Sequence, residues 1–118
     1  MTSDASAAPD DQLGVAMDEA LAEECANWIA EQLTDEFGGF VSAEMIDAIF
    51  EFEVIIRNEH NDPGMDHRTM AERLLVKLEA EGAPVGERWG VTSHLLVEVL
   101  NWEDEFRALA NQPREVRP

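Results

Sequence analysis

Apolar residues recur at steps of three and four along most of the chain, which is the spacing of a helix with one face turned to a core. In the first such stretch, Leu21, Cys25 and Ile29 belong to the apolar stripe. No segment alternates apolar and polar residues with the two-residue period of a strand. The pattern therefore predicts an all-α fold with four helices, over about 11–36, 43–60, 67–81 and 93–110.

Residues that cap or stop helices stand at the ends of these stretches. Ser42, Asp66 and Thr92 each precede an apolar-periodic stretch, and such side chains accept hydrogen bonds from the free N–H groups of a first turn. Gly38-Gly39 follows the first stretch, where glycine accepts the left-handed conformation of a helix end. Trp89 lies in the loop 82–91 and, being large and apolar, is expected to pack against the core.

The segment 41–63 resembles the segment 91–113 when the two are aligned without a gap. Helix caps, apolar positions and a closing Asn-x-Pro agree together. We favour an internal duplication, with one repeat over about 20–63 and the other over about 67–113. The alternative is that any two capped amphipathic helices look alike. Duplication predicts a four-helix bundle built from two tandem α-hairpins related by an approximate twofold axis.

The alignment matches Glu53 with Glu103 and Arg57 with Arg107. Each glutamate lies on the flank of its apolar stripe and precedes its arginine by four residues, the favourable order for a helical ion pair. We interpret both as structural polar pairs that fix how the hairpins pack. The alternative is a facing pair of carboxylates that binds a metal or transfers a proton.

A chain of 118 residues is long enough for one domain, which we place over 11–111. We expect residues 1–10 to form a disordered acidic tail and residues 112–118 a loose C-terminal tail. The start of the chain is unlike a secretory signal, and no apolar run is long enough to cross a bilayer. A single cysteine excludes an internal disulfide framework, so we expect a cytoplasmic protein.

Acidic residues dominate the charge: 26 Asp and Glu face 8 Lys and Arg, for a net charge of −18. Such a chain repels nucleic acid and anionic membranes and attracts basic protein surfaces. The other interpretation is that acidity serves only solubility or adapts the protein to a salty cytoplasm. We expect a basic protein or a larger complex as partner, with no direct contact to nucleic acid or membrane.

Two groups of residues are candidates for contact with that partner. Val54 and Ile55 widen the apolar arc of the second helix, and Asp104 and Glu105 stand at the matching positions of the fourth. This apolar surface must be covered by the start of the first helix, by a partner or by a second copy in a homodimer. The acidic candidates lie at the start of the first helix and are Asp18, Glu19, Glu23 and Glu24.

Familiar catalytic and cofactor motifs are missing from the sequence, so we expect no cofactor and no catalytic residue. One loop gathers possible metal ligands, namely His60, Asp62, Asp66 and His67. A polar turn with helix caps explains the same residues. The sequence favours a non-enzymatic acidic helical module that binds a basic protein as regulator, inhibitor (a nucleic-acid mimic among them) or accessory subunit. The alternative is a metal-binding or proton-transfer protein that uses Glu53/Glu103 or His60/His67.

Overall fold

Four α-helices account for most of residues 17–39 and 41–117, the part of the chain that the computed structural model describes. A short 3-10 helix, Glu87–Trp89, lies between the last two. Across these residues there is no strand, and an isolated bridge joins Gly86 to Val91. The all-α prediction is confirmed. The α-helices are α1 (Glu19–Phe37), α2 (Ala43–His60), α3 (His67–Ala80) and α4 (Ser93–Leu109).

Three of the four helices begin where the sequence predicts, because their caps form. Ser42 accepts a hydrogen bond from the N–H of Met45 at 3.1 Å. Asp66 accepts one from Thr69 at 3.0 Å, and the hydroxyl of Thr92 accepts one from the N–H of Leu95 at 3.2 Å. Each bond satisfies an N–H that has no partner inside its own helix.

The first helix begins at Glu19, so the predicted start near residue 11 is wrong for the described part of the chain. Met17 and Asp18 precede the helix, and Asp18 has extended dihedral angles, with φ −66° and ψ 165°. Its carboxylate accepts the N–H of Leu21 at 2.8 Å, which fixes the helix start there. The rest of the predicted extension, 11–16, and the predicted tail 1–10 lie outside the described residues.

The helices enclose one apolar core. Helix α1 packs against α2 and α4, and α3 packs against α4 and α2. This arrangement is a helical bundle, as predicted, while the twofold relation between the hairpins stays a prediction. No helix within 17–39 and 41–117 is both long and apolar enough to cross a membrane. The largest fully buried apolar side chains are Ile29, Leu33, Ile46, Ile49, Ile56, Met65, Met70, Leu74, Leu96 and Leu100.

Trp89 does not pack against the core, which corrects the prediction made for it. Its side chain is 56% exposed, and the guanidinium carbon of Arg88 lies 5.2 Å from the ring centroid. Backbone bonds between Gly86 and Val91, at 2.8 and 3.2 Å, close this part of the loop into a tight turn and leave the tryptophan outside. Val85 and Val91 cover the core instead.

The C-terminal segment is anchored over residues 112–117, so the prediction of a loose tail is wrong there. The backbone N–H of Gln112 donates to the carbonyl of Arg107 at 2.7 Å. Further along, the N–H of Arg117 donates to the carbonyl of Gly64 at 2.9 Å. Arg114 inserts its side chain into the protein and leaves it only 2% exposed. The contacts of Arg114 and Arg117 join residues far apart in the sequence, which local spacing does not reveal.

Candidate functional site

Glu53 on α2 and Glu103 on α4 are both buried, with 1% and 2% of their surfaces exposed. Each forms the ion pair expected from its spacing. Arg57 Nη1 lies 3.0 Å from Glu53 Oε1, and Arg107 Nε lies 2.9 Å from Glu103 Oε2. A buried carboxylate needs such charged donors, because it has lost its water.

Arg114 joins the two ion pairs into one network. Its Nη1 lies 2.8 Å from Glu53 Oε1 and 3.1 Å from Glu103 Oε2, while its Nη2 lies 3.1 Å from Glu103 Oε1. Its Nε donates to Asp104 Oδ1 at 2.8 Å. Arg114 is not among the residues predicted from the sequence. The available signal is the use of arginine rather than lysine for nearly all basic residues, since arginine is the cation suited to buried ion pairs.

The network pushes the pKa values of the two glutamates apart. Burial raises the pKa of Glu103 to about 8, with the nearby charge of Glu53 as the second cause. For Glu53, burial acts in the same direction, but the charge of Arg114 and a hydrogen bond with Glu103 outweigh it and lower the pKa to about 2. The two glutamates therefore titrate as a pair, and the pair holds one proton at neutral pH.

The two carboxyl groups differ in their hydrogen bonds. Glu53 Oε1 accepts N–H groups from Arg57 and Arg114, whereas Oε2 accepts none from the described residues. Glu103 accepts three N–H groups from Arg107 and Arg114, on its two oxygens. At the edge of the network, the Nε and Nη2 groups of Arg57 are buried and make no hydrogen bond within the described part of the chain.

A metal ion at Glu53 and Glu103 would have to displace guanidinium groups that already lie at hydrogen-bond distance. Arg57, Arg107 and Arg114 supply the positive charge next to both carboxylates. The two glutamates thus lie close together, as a metal-binding or proton-transfer site would require. Their charge is balanced by arginine side chains.

The four candidate metal ligands of the α2–α3 turn are not brought together. Each has a partner of its own, although Arg117 also lies 4.0 Å from Asp66. No group of three or more His, Cys, Asp or Glu in residues 17–39 and 41–117 is placed to hold a metal ion. Their partners are Arg73 for His60, Arg117 for Asp62, Thr69 for Asp66 and Asp104 for His67.

Three of the six partner-binding candidates meet at one cavity. Glu19, Glu23 and Val54 line a cavity of about 440 Å³ that lies between α1 and α2 and is bordered by α4, whereas Asp18, Glu24 and Ile55 do not line it. The buried network lies along the same cavity. Val54 lines this cavity, whereas Ile55 is 41% exposed and lies outside the lining. A homodimer through them stays a prediction.

Charge is unevenly distributed over the molecule. Between Met17 and His60 the sequence has a single lysine or arginine, Arg57, and its side chain is 3% exposed. The described surface of the α1–α2 hairpin therefore shows no lysine or arginine. Its exposed carboxylates are Asp18, Glu19, Glu23, Glu24, Glu31, Asp35, Glu36, Glu44, Asp47, Glu51 and Glu59. The exposed arginines lie on α3 and beyond, at Arg68, Arg73, Arg88 and Arg117.

No protein-family model, no curated protein and no solved structure matches this chain. Fold and site together define an acidic helical bundle with a buried network of carboxylates and arginines. Its function has to be argued from the surface and the site themselves.

Proposed function

We propose that the protein is a non-enzymatic interaction module whose α1–α2 hairpin docks onto a basic surface of another protein. The observation that carries the proposal is the charge of that hairpin, which exposes many carboxylates and whose one arginine, Arg57, is buried. A surface of one sign steers a partner of the opposite sign and repels others. The protein would act as a regulator, an inhibitor or an accessory subunit.

Mimicry of nucleic acid is the sharpest form of this proposal. A row of carboxylates without cations presents the same sign of charge as a phosphate backbone. Along α1, exposed acids continue from Glu19 to Glu36 with no basic residue between them. A protein that binds DNA or RNA through lysine and arginine is a partner of the required chemistry.

Proton transfer through Glu53 and Glu103 is the second candidate. It is supported by their proximity and by the raised pKa of Glu103, because a group that titrates near neutral pH suits acid–base work. Both carboxyl groups are nevertheless almost fully buried and held by arginine, which is the arrangement of a structural network. We therefore favour the interaction module.

Affinity capture from the native host tests the first proposal. The immobilised protein is compared with a variant that carries Glu23→Gln, Glu24→Gln and Glu31→Gln on α1. The matched control carries Glu72→Gln, Glu79→Gln and Glu81→Gln, which removes the same number of exposed charges from α3 and its end. Each capture is repeated at about 0.1 M and 1 M salt, where the Debye length falls from about 10 Å to 3 Å.

We expect a basic protein that is retained at low salt, released at high salt, lost with the α1 variant and kept with the control. Equal loss with both variants would point to net charge alone and would contradict a specific face. Retention at high salt would contradict an electrostatic interface. For the proton-transfer candidate, Glu53→Gln and Glu103→Gln are tested for loss of function in the host while capture is intact.

A further inference from the structure

We infer that the cavity between α1 and α2 is the recognition groove of this module, and that it receives one face of a basic amphipathic helix from the partner protein. This inference rests on the proposed function and adds the place and the chemistry of contact. Its occupant carries an apolar side chain for the floor of the groove and lysine or arginine for the rim.

Part of the floor is apolar and only partly covered. Met17, Ala22 and Val54 line the cavity and are half-buried, Phe50 in the same lining is buried, and the network of glutamates and arginines forms the rest of the floor. The cavity of about 440 Å³ falls in the range of sites that take a small ligand or a few side chains. An apolar side chain of the partner that covers these residues removes apolar surface from water on both sides, which favours binding.

The rim is anionic on both sides. Glu19 and Glu23 stand one helical turn apart on α1, and Asp47 and Glu51 stand one turn apart on α2. All four are exposed. Lysine or arginine residues spaced by four on a partner helix are separated by the same one-turn distance, so they can meet these carboxylates in pairs.

The buried network beneath the groove does not cancel this attraction. Its three arginines lie beside Glu53, Glu103 and Asp104, and because the two glutamates share a proton, two of the three positive charges are balanced. One positive charge is left, against four carboxylates on the rim. The four rim carboxylates face solvent and form no ion pair with another residue of 17–39 or 41–117. A second copy of the chain is a poor occupant, because its net charge of −18 repels a like copy.

Fluorescence anisotropy with a synthetic peptide tests the groove. The probe is a labelled helical peptide with a leucine flanked by arginines four residues apart. A second peptide of identical composition has its arginines distributed around the helix. We expect the first peptide to bind more tightly, by about tenfold, which corresponds to about 1.4 kcal/mol.

Ala22→Met fills the groove without changing the charge, and Ala20→Met adds the same side chain at an exposed site outside the lining. We expect the first variant to weaken binding of the arginine-paired peptide and of any captured partner by at least about tenfold, and the second to leave both unchanged. Circular dichroism verifies that both variants fold. Glu19→Gln with Glu23→Gln, set against Glu31→Gln with Asp35→Asn, separates rim charge from charge elsewhere on α1.

The outcomes separate the two proposals. If Ala22→Met and the rim variant bind normally while the Glu31/Asp35 variant does not, the groove inference fails and the proposed function stands. If no charge variant affects binding of peptide or partner, both fail. If the protein self-associates in size-exclusion chromatography and Ala22→Met abolishes this, the occupant is a second copy and the inference of a basic partner helix is overturned.

Discussion

Glu53 and Glu103 share one guanidinium group, with Arg114 Nη1 2.8 Å from Glu53 Oε1 and 3.1 Å from Glu103 Oε2. The two glutamates lie on α2 and α4, and the arginine comes from the segment after α4. A short C-terminal stretch therefore completes the charge balance of a site buried between two helices. Removing one partner of such a network leaves buried charge without compensation.

Arg114→Met should lower the free energy of unfolding by about 3 to 5 kcal/mol, because two buried glutamates lose their common donor. Urea denaturation at neutral pH measures the loss. Arg117→Met is the matched control, since its side chain also pairs with a carboxylate but is 56% exposed. Exposed pairs contribute little to stability, because solvent screens the two charges. A similar loss of stability for both variants would show that the buried contacts of Arg114 contribute no more than the exposed pair of Arg117.

The two glutamates should differ sharply when each is replaced by glutamine. The raised pKa of Glu103 predicts that it carries the proton of the pair at neutral pH, so Glu103→Gln should exchange one neutral group for another of similar shape, with a loss near 1 kcal/mol. Glu53→Gln removes a carboxylate that balances Arg57 and Arg114, and should cost about 3 kcal/mol or more. Denaturation of both variants side by side is the measurement. The reverse order would place the proton on Glu53.

Stability should decrease as pH rises from about 4.5 to about 8. The folded pKa of Glu103 is about 8 and its ordinary value is 4.5, so in this window the folded chain keeps a proton that the unfolded chain has lost. The stabilisation from this group is complete below the lower value and lost above the upper one. Glu53 acts oppositely, because its folded pKa is about 2 against 4.5. Its contribution is lost as pH falls through that lower range.

General repulsion among the acidic residues also grows over part of this range, so the comparison with Glu103→Gln isolates the site. We expect the variant to lose less stability than the wild type between about pH 4.5 and 8. Denaturation curves at several pH values decide this. Parallel curves for the two proteins would mean that Glu103 does not hold the proton in the folded state.

Most of the fold could be predicted from the spacing of residues along each helix. The limits of α2, α3 and α4 agree with the predicted ones to within a residue, because capping and apolar periodicity act over three or four positions. The two ion pairs, Glu53–Arg57 and Glu103–Arg107, follow from the same short range. The start of α1 was misplaced because the apolar stripe appeared to continue through Met17, and the competing cap at Asp18 was not recognised.

Only part of the candidate site could be predicted from the sequence. Glu19 and Glu23 were named on acidity, but their partners across the groove, Asp47 and Glu51, lie on another helix. Packing between the helices decides which faces of α1 and α2 meet. The spacing of residues within one helix does not give this information. Arg114 was missed for the same reason, since it contacts Glu53 across 61 positions of the chain.

Cys25 should report on opening of the buried network. Its side chain is fully buried, and burial, followed by the charge of Glu103, raises the pKa of the thiol to about 12. A thiol in this state reacts only when the structure opens, because the thiolate is the reactive form.

With a chromogenic disulfide reagent near pH 8, we expect almost no reaction of the folded protein within minutes and one thiol per chain in urea. Arg114→Met should accelerate the reaction in the absence of urea, and Arg117→Met should not, because only the first residue belongs to the network beside Cys25. Rapid labelling of the wild type would show that the core around Cys25 is open to solvent and would contradict the packing of α1 described above.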